Sequence, residues 1–211
     1  MNPQNTKNKI IATATELFSQ FGFDGTSIRN IANKANVNIS AINYHFTSKE
    51  KLYYEIFDHN FTWMKNTIEK IPNLDQLTTF ELIWEIFTIF SANSSKLRNC
   101  FKIFFTDSIS VNVKQLQKDQ QIPIGPPGEN IVMNVITKEI GSDIPLETRE
   151  WACHHLLIHI NHLCLLFSSN FMKDRIKCRV ELTDEKVKQS IQLFVEAILN
   201  QAKLHKSIIA P

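Results

Sequence analysis

The sequence predicts an all-α protein of about nine helices arranged in two parts. Three observations carry this expectation. Apolar residues recur three and four apart through most of the chain. Only 5 glycines and 7 prolines punctuate 211 residues, so long uninterrupted elements are expected. No segment alternates apolar and polar residues as a half-buried strand does, and no internal repeat occurs.

The elements follow in order. Ile10, Ala14, Leu17, Phe18 and Phe21 fall at helical spacing, and Gly22 stands where that helix would stop. The run GFDG makes a turn, after which Thr26 or Ser27 can cap a short helix carrying Ile28, Ile31, Ala32 and Ala35. Asn36-Val37-Asn38 breaks it, and Asn38 can cap a second short helix ending near Tyr44. Thr47 with Glu50 three residues on reads as a capping box opening a long helix, stopped by Pro72. Longer apolar helices are expected at roughly 75–92, 95–110, 128–141, 147–168 and 184–203. Between the second and third of these lies the Pro/Gly-rich loop KDQQIPIGPPGEN. The expected division is residues 1–50 as a three-helix domain and residues 51–211 as a helical bundle, joined by the long helix.

Composition narrows the class. Apolar residues make up 43% of the chain, enough for a real core. The formal net charge of +2 alone identifies no partner. No apolar run is long enough to span a bilayer. The polar start MNPQNTKNK lacks the apolar core of a secretory signal. The four cysteines, Cys100, Cys153, Cys164 and Cys178, are scattered without a CxxC pair, which fits reduced thiols in a cytoplasmic protein. No phosphate loop, nucleophile elbow or paired carboxylates on one face point to an enzyme, and no cofactor is expected.

The two short helices, about three residues apart with small residues between them, make a helix-turn-helix. Ala32 and Val37 sit at the elbow, and Ala41 lets the second helix approach the first. That second helix presents Ser40, Asn43 and Tyr44 outward, which suits the major groove of DNA. Between residues 26 and 51, Arg29, Lys34, Lys49 and Lys51 stand against the single acid Glu50. Such a local positive concentration suits phosphate neutralisation better than the total charge indicates.

The run FGFDGTSIRNIANKANVNISAINYHFTSKEKLYYEIF resembles the DNA-binding domain of TetR-type (tetracycline-repressor-like) bacterial transcription regulators. The similarity covers about residues 10–57: the G-(aromatic)-x-G-T-S-I-x-x-I-A turn and helix, the valine elbow, then Y-H-F-x-S-K-E. The later helices resemble, more loosely, the ligand-binding half of that family. The resemblance implies a homodimer, a palindromic double-stranded operator, and release from DNA when a small molecule enters the C-terminal domain. It also assigns roles. Thr26, with Ser27 beside it, matches the phosphate contact at the first short helix, Tyr44 the aromatic that meets the backbone, and Lys49 the phosphate-binding lysine. His45 falls at a position near phosphate, and Phe46 is the plug that packs the recognition helix onto the core. Asn38, Ile39, Ser40 and Asn43 become the base readers; Asn43 can take adenine bidentately and Ile39 can touch a thymine methyl. Asn36 departs from the pattern, where glycine is usual. Asparagine tolerates a left-handed backbone better than most residues, so the turn is expected to survive.

In the C-terminal part, WACHHLLIHINHLCLLF places His155, His159 and His162 on one helical face with Trp151. Histidines four apart can bind zinc, which leaves a metal-responsive regulator on the same scaffold as one reading. The other reading is a helix buried all round, its imidazoles serving as polar spots in a dimer interface. The resemblance favours the interface, with Ile191, Phe194 and Ile198 of the last helix completing it. Trp84, Phe87, Phe101, Phe104 and Phe105, with His159, are the residues expected around an effector pocket. A helical adaptor that uses the same geometry for protein contacts is the reading of another class.

Overall fold

The computed structural model describes residues 3–104, 125–169, 171–172, 174 and 183–204. Among them are nine α-helices, one 3-10 turn at Leu74–Gln76, and no strand. The helices are α1 (Pro3–Phe21), α2 (Ile28–Ala35), α3 (Ile39–His45), α4 (Lys49–Glu69), α5 (Thr79–Ala92), α6 (Ser94–Phe104), α7 (Glu129–Ile140), α8 (Leu146–Ser168) and α9 (Asp184–Leu204). The chain forms two compact units. The first holds residues up to Trp63 and resumes at Lys96; the second holds Met64–Ser95 and the described residues from 125 onward. Division by compactness therefore falls inside α4 and gathers α6 with the first unit, through contacts that spacing along the chain does not reveal.

In the first unit, α1 buries Ile10, Ile11, Ala14, Leu17 and Phe18. Phe21, expected on the same stripe, is 60% exposed. The helix ends there, with Gly22 at φ 71 donating its N–H to the Phe18 carbonyl. Phe23 turns inward instead and joins Phe18 and Tyr53 in an aromatic cluster, with centroids 5.0 to 5.8 Å apart. The Tyr53 hydroxyl donates to the Ile103 carbonyl of α6, which packs into this core.

The caps refine the expected boundaries. Ser27 caps α2, accepting from the Asn30 N–H at 3.1 Å. Thr26 is buried and donates its hydroxyl to the Gly22 carbonyl at 2.9 Å, closing the turn instead of capping. Asn38 occupies the N-cap of α3, but its side chain makes no cap bond. Ser48, not Thr47, caps α4 by accepting from the Lys51 N–H. The hydrogen bond from Ser48 is the leading reason the Glu50 carboxyl is held below its ordinary range.

The second unit packs α5, α7, α8 and α9 around one apolar core that includes Leu82, Ile86, Val135, Leu156, Ile160, Ile191 and Val195. Thr78 and Glu81 form a reciprocal capping box at α5. Arg149 donates to the Ile144 carbonyl and the Thr137 hydroxyl, fastening α8 to the end of α7. Gly128, at φ 82, precedes α7 where a Cβ would press on Ile68. Cys100, Cys153 and Cys164 are free and buried, which pushes their thiols up to about 11, about 12 and about 11.

Candidate nucleic-acid interface

The geometry of the first unit starts from two buried residues, one in the second short helix and one at its C-cap. Ile42 and Phe46 are both buried and pin one side of α3 to the core. A seven-residue helix held on one side must present its remaining positions outward. Ile39 is 44% exposed and Tyr44 80% exposed, large apolar or amphipathic groups that folding alone leaves in water. Asn38, Ser40 and Asn43 are exposed beside them. His45 is half-buried, its ring edge-on to Tyr44 at 5.0 Å.

The turn that orients α3 is left-handed. Asn36 adopts φ 49 and ψ 55, and its backbone N–H donates to the Ala32 and Asn33 carbonyls. The Val37 N–H then bonds the Ala32 carbonyl at 3.0 Å, so the elbow is fixed on both sides. An open groove of about 680 Å³ lies on this face. Asn33, Asn36, Asn38, Ser40, Tyr44 and His45 line it, and Thr6 of α1 reaches it too. The α1 and turn residues of this set were not among the expected readers; the departure from glycine at Asn36 was the one visible signal.

The expected phosphate ligands sit differently from one another. Ser27 and its helix N-terminus are exposed, and the leading N–H groups there suit an anion. The Thr26 hydroxyl is taken by Gly22, so this side chain supports the turn rather than facing a phosphate. Lys49 donates to the Phe23 and Thr26 carbonyls at 3.0 and 3.1 Å and lies 4.0 Å over the Phe23 ring. An ammonium has three donors, so one remains for an anion. Lys34 pairs with Glu16 at 2.7 Å, which offsets part of the positive charge counted along the sequence.

In the second unit the histidine face of α8 is partly open. His155 contacts Trp151 through both its ring, at 4.6 Å, and its Nδ1, at 2.8 Å from the Trp151 carbonyl. His159 stacks on Phe194 of α9 at 3.9 Å. Burial first, and then nearby His162, hold the His159 imidazole below its ordinary value. His155 and His162 are exposed, and Ile158 between them is 65% exposed, so α8 is not buried all round within one chain. Ile191 and Ile198 are 0% and 9% exposed. They belong to this chain's own core, and the outward face of α9 carries Leu193, 67% exposed, instead. Among the described residues no group of three His, Cys, Asp or Glu side chains could hold a metal ion. Cys153 and Cys164 bond to backbone carbonyls of Glu129 and Phe87 rather than joining the histidines.

The aromatic residues expected around a pocket separate. Trp84 and Phe87 meet at 5.6 Å, and Phe167 of α8, not anticipated, stands edge-on to Phe87 at 5.9 Å. Phe87 and Phe90 are core residues. Phe101 belongs to the first unit. The Phe104 side chain and Phe105 lie outside the described residues.

An all-α chain that holds the second helix of a helix-turn-helix from behind and exposes its outer side has the geometry of helix-turn-helix DNA-binding domains. Comparison with known proteins then shows what the chain is similar to. Residues 10–56 match the family of bacterial regulatory proteins, tetR family. A probable HTH-type transcriptional regulator of Bacillus subtilis, YttP, is 37% identical over 89 residues, covering 41% of this chain and 43% of that one. The negative regulator of the icaADBC biofilm operon of Staphylococcus aureus, IcaR, is 39% identical over 87 residues, 38% of this chain and 47% of that one. The similarity thus spans under half the length of these relatives. Salmonella enterica GusR has the same fold, with a TM-score of 0.65 at 14% identity over 95% of this chain and 98% of that one. Residues 10–56 thus resemble the DNA-binding segment of tetR-family bacterial regulatory proteins, and the fold is shared with solved proteins described as tetR-family transcription regulators.

Proposed function

We propose that the protein is a one-component repressor that binds a palindromic operator as a homodimer and leaves it when a small molecule enters the helical bundle. One observation carries this reading: α3 exposes Asn38, Ile39, Ser40, Asn43 and Tyr44 together while Ile42 and Phe46 anchor it from behind. Folding gives no reason to leave Ile39 and Tyr44 in water, whereas a major groove offers thymine methyls and phosphates to meet them. Residues 1–50 do the binding, and residues 51–211 carry dimerisation and the effector. Repression is supported by the similarity to IcaR, a negative regulator. The dimer face consists of Trp151, His155, Ile158 and His162 on α8 with Leu193 on α9, because these remain exposed or half-exposed beside a finished core. The effector enters among the apolar helices near Trp84, Phe87 and His159. Such a protein works in the cytoplasm, where its DNA lies, and among the described residues no helix is long and apolar enough to cross a membrane.

The test is a double substitution, Asn43→Ala with Tyr44→Ala. Both side chains are exposed, so the fold should persist while affinity for a selected duplex falls roughly thirtyfold, the sum of two lost contacts of about 1 kcal/mol each. Unchanged affinity would mean that α3 does not read DNA, and would favour the protein-adaptor reading.

A further inference from the structure

We propose that Asn36 is a DNA contact in its own right: its carboxamide, carried on the turn between α2 and α3, donates a hydrogen bond to the bound duplex. This rests on the reading of α3 as the DNA-facing helix. The turn itself asks only for a left-handed backbone and a free N–H. Asn36 supplies both, at φ 49 and ψ 55, with its N–H shared between the Ala32 and Asn33 carbonyls. Glycine would meet these needs with less strain, since a Cβ disfavours this conformation. What asparagine adds is therefore its side chain. That side chain is exposed and, among the described residues, makes no hydrogen bond to the protein. It lines the same groove as Asn38, Ser40 and Tyr44, the residues that α3 presents outward. The groove lining contains no lysine or arginine, so its polar readers are carboxamides, hydroxyls and one imidazole. A carboxamide NH2 can donate either to a phosphate oxygen or to a base-edge acceptor such as adenine N7.

The experiment compares the full-length parent with Asn36→Gly and Asn36→Asp. Each is titrated against the duplex that the parent selects from random sequence, and against single-base variants of that duplex. Asn36→Gly should keep its helical circular dichroism and melt no more than about 3 °C below the parent, because relieved strain and added chain entropy nearly offset. Its affinity should fall roughly fivefold per protomer, the value of one net hydrogen bond. Asn36→Asp, which tolerates the same backbone but has no donor and bears a negative charge, should bind more weakly still. A uniform loss over all duplex variants places the contact on phosphate, and a loss confined to one base pair places it on a base. A glycine variant that binds within twofold of the parent overturns the proposal while leaving α3 as the reader. Weaker binding that appears only together with loss of helical structure overturns it too. A parent that selects no duplex overturns both this contact and the DNA reading beneath it.

Discussion

At Gly25 an added Cβ would run into the carbonyl oxygen of Phe21, part of the last turn of α1. Backbone cannot swing aside as a side chain can, so Gly25→Ala should destabilise the first unit by about 1–3 kcal/mol. Thermal melting would read this directly, and DNA affinity should fall with it. Tyr44→Ala should do the reverse. With the side chain 80% exposed, its removal should change stability by less than about 0.5 kcal/mol while weakening binding to the selected duplex. The pair separates a residue that shapes the site from one that belongs to it. At this scale the sequence was readable to within one position. The runs Thr26-Ser27 and Thr47-Ser48 each contain two good capping residues, and local pattern alone cannot choose between them. Tertiary contact decides: Thr26 is drawn inward to Gly22, which leaves the cap to Ser27.

Helix α3 is too short to be stable alone, so its form depends on what Ile42 and Phe46 bury. Phe46→Ala should cost about 3–5 kcal/mol and should strip hydrogen-exchange protection from α3. Protection retained at parent levels would show that the helix is held by something else. The helix-turn-helix was legible because its turn and core residues are local. The α8 and α9 faces were less so, because a helical stripe shows that a face is buried without showing what buries it. Ile191 and Ile198 sit on the predicted stripe, yet the partner is the same chain. Likewise α8 reads as apolar on all sides, while Ile158 reaches solvent between two exposed histidines. His159 offers a test at this level. Its folded-state value lies below the ordinary imidazole value, so the unfolded chain takes up a proton that the folded chain resists. Its contribution to stability is therefore complete above about pH 6.5 and is lost as pH falls toward the lowered folded value. Melting temperature followed from about pH 8 to about pH 5 should drop. His159→Phe, which keeps the stack on Phe194, should drop less; equal slopes would remove His159 from the account.

For the molecule as a whole, the account requires a dimer whose faces one chain leaves uncovered. Ile158→Asp combined with Leu193→Glu should give a folded monomer by sedimentation, because both side chains are exposed in the chain alone and only a partner could bury them. Loss of dimer should carry loss of operator affinity, since two half-sites bound together gain by effective concentration. The number of helices could be read from periodicity. The gathering of α6 with the first unit could not, because it rests on contacts such as Tyr53 with Ile103, fifty residues apart. The most direct test of the central claim is selection of random duplexes on the purified full-length protein at two salt concentrations. The account predicts a palindromic sequence bound with an affinity that falls steeply as salt rises. Weak binding without sequence preference at either salt concentration would contradict it.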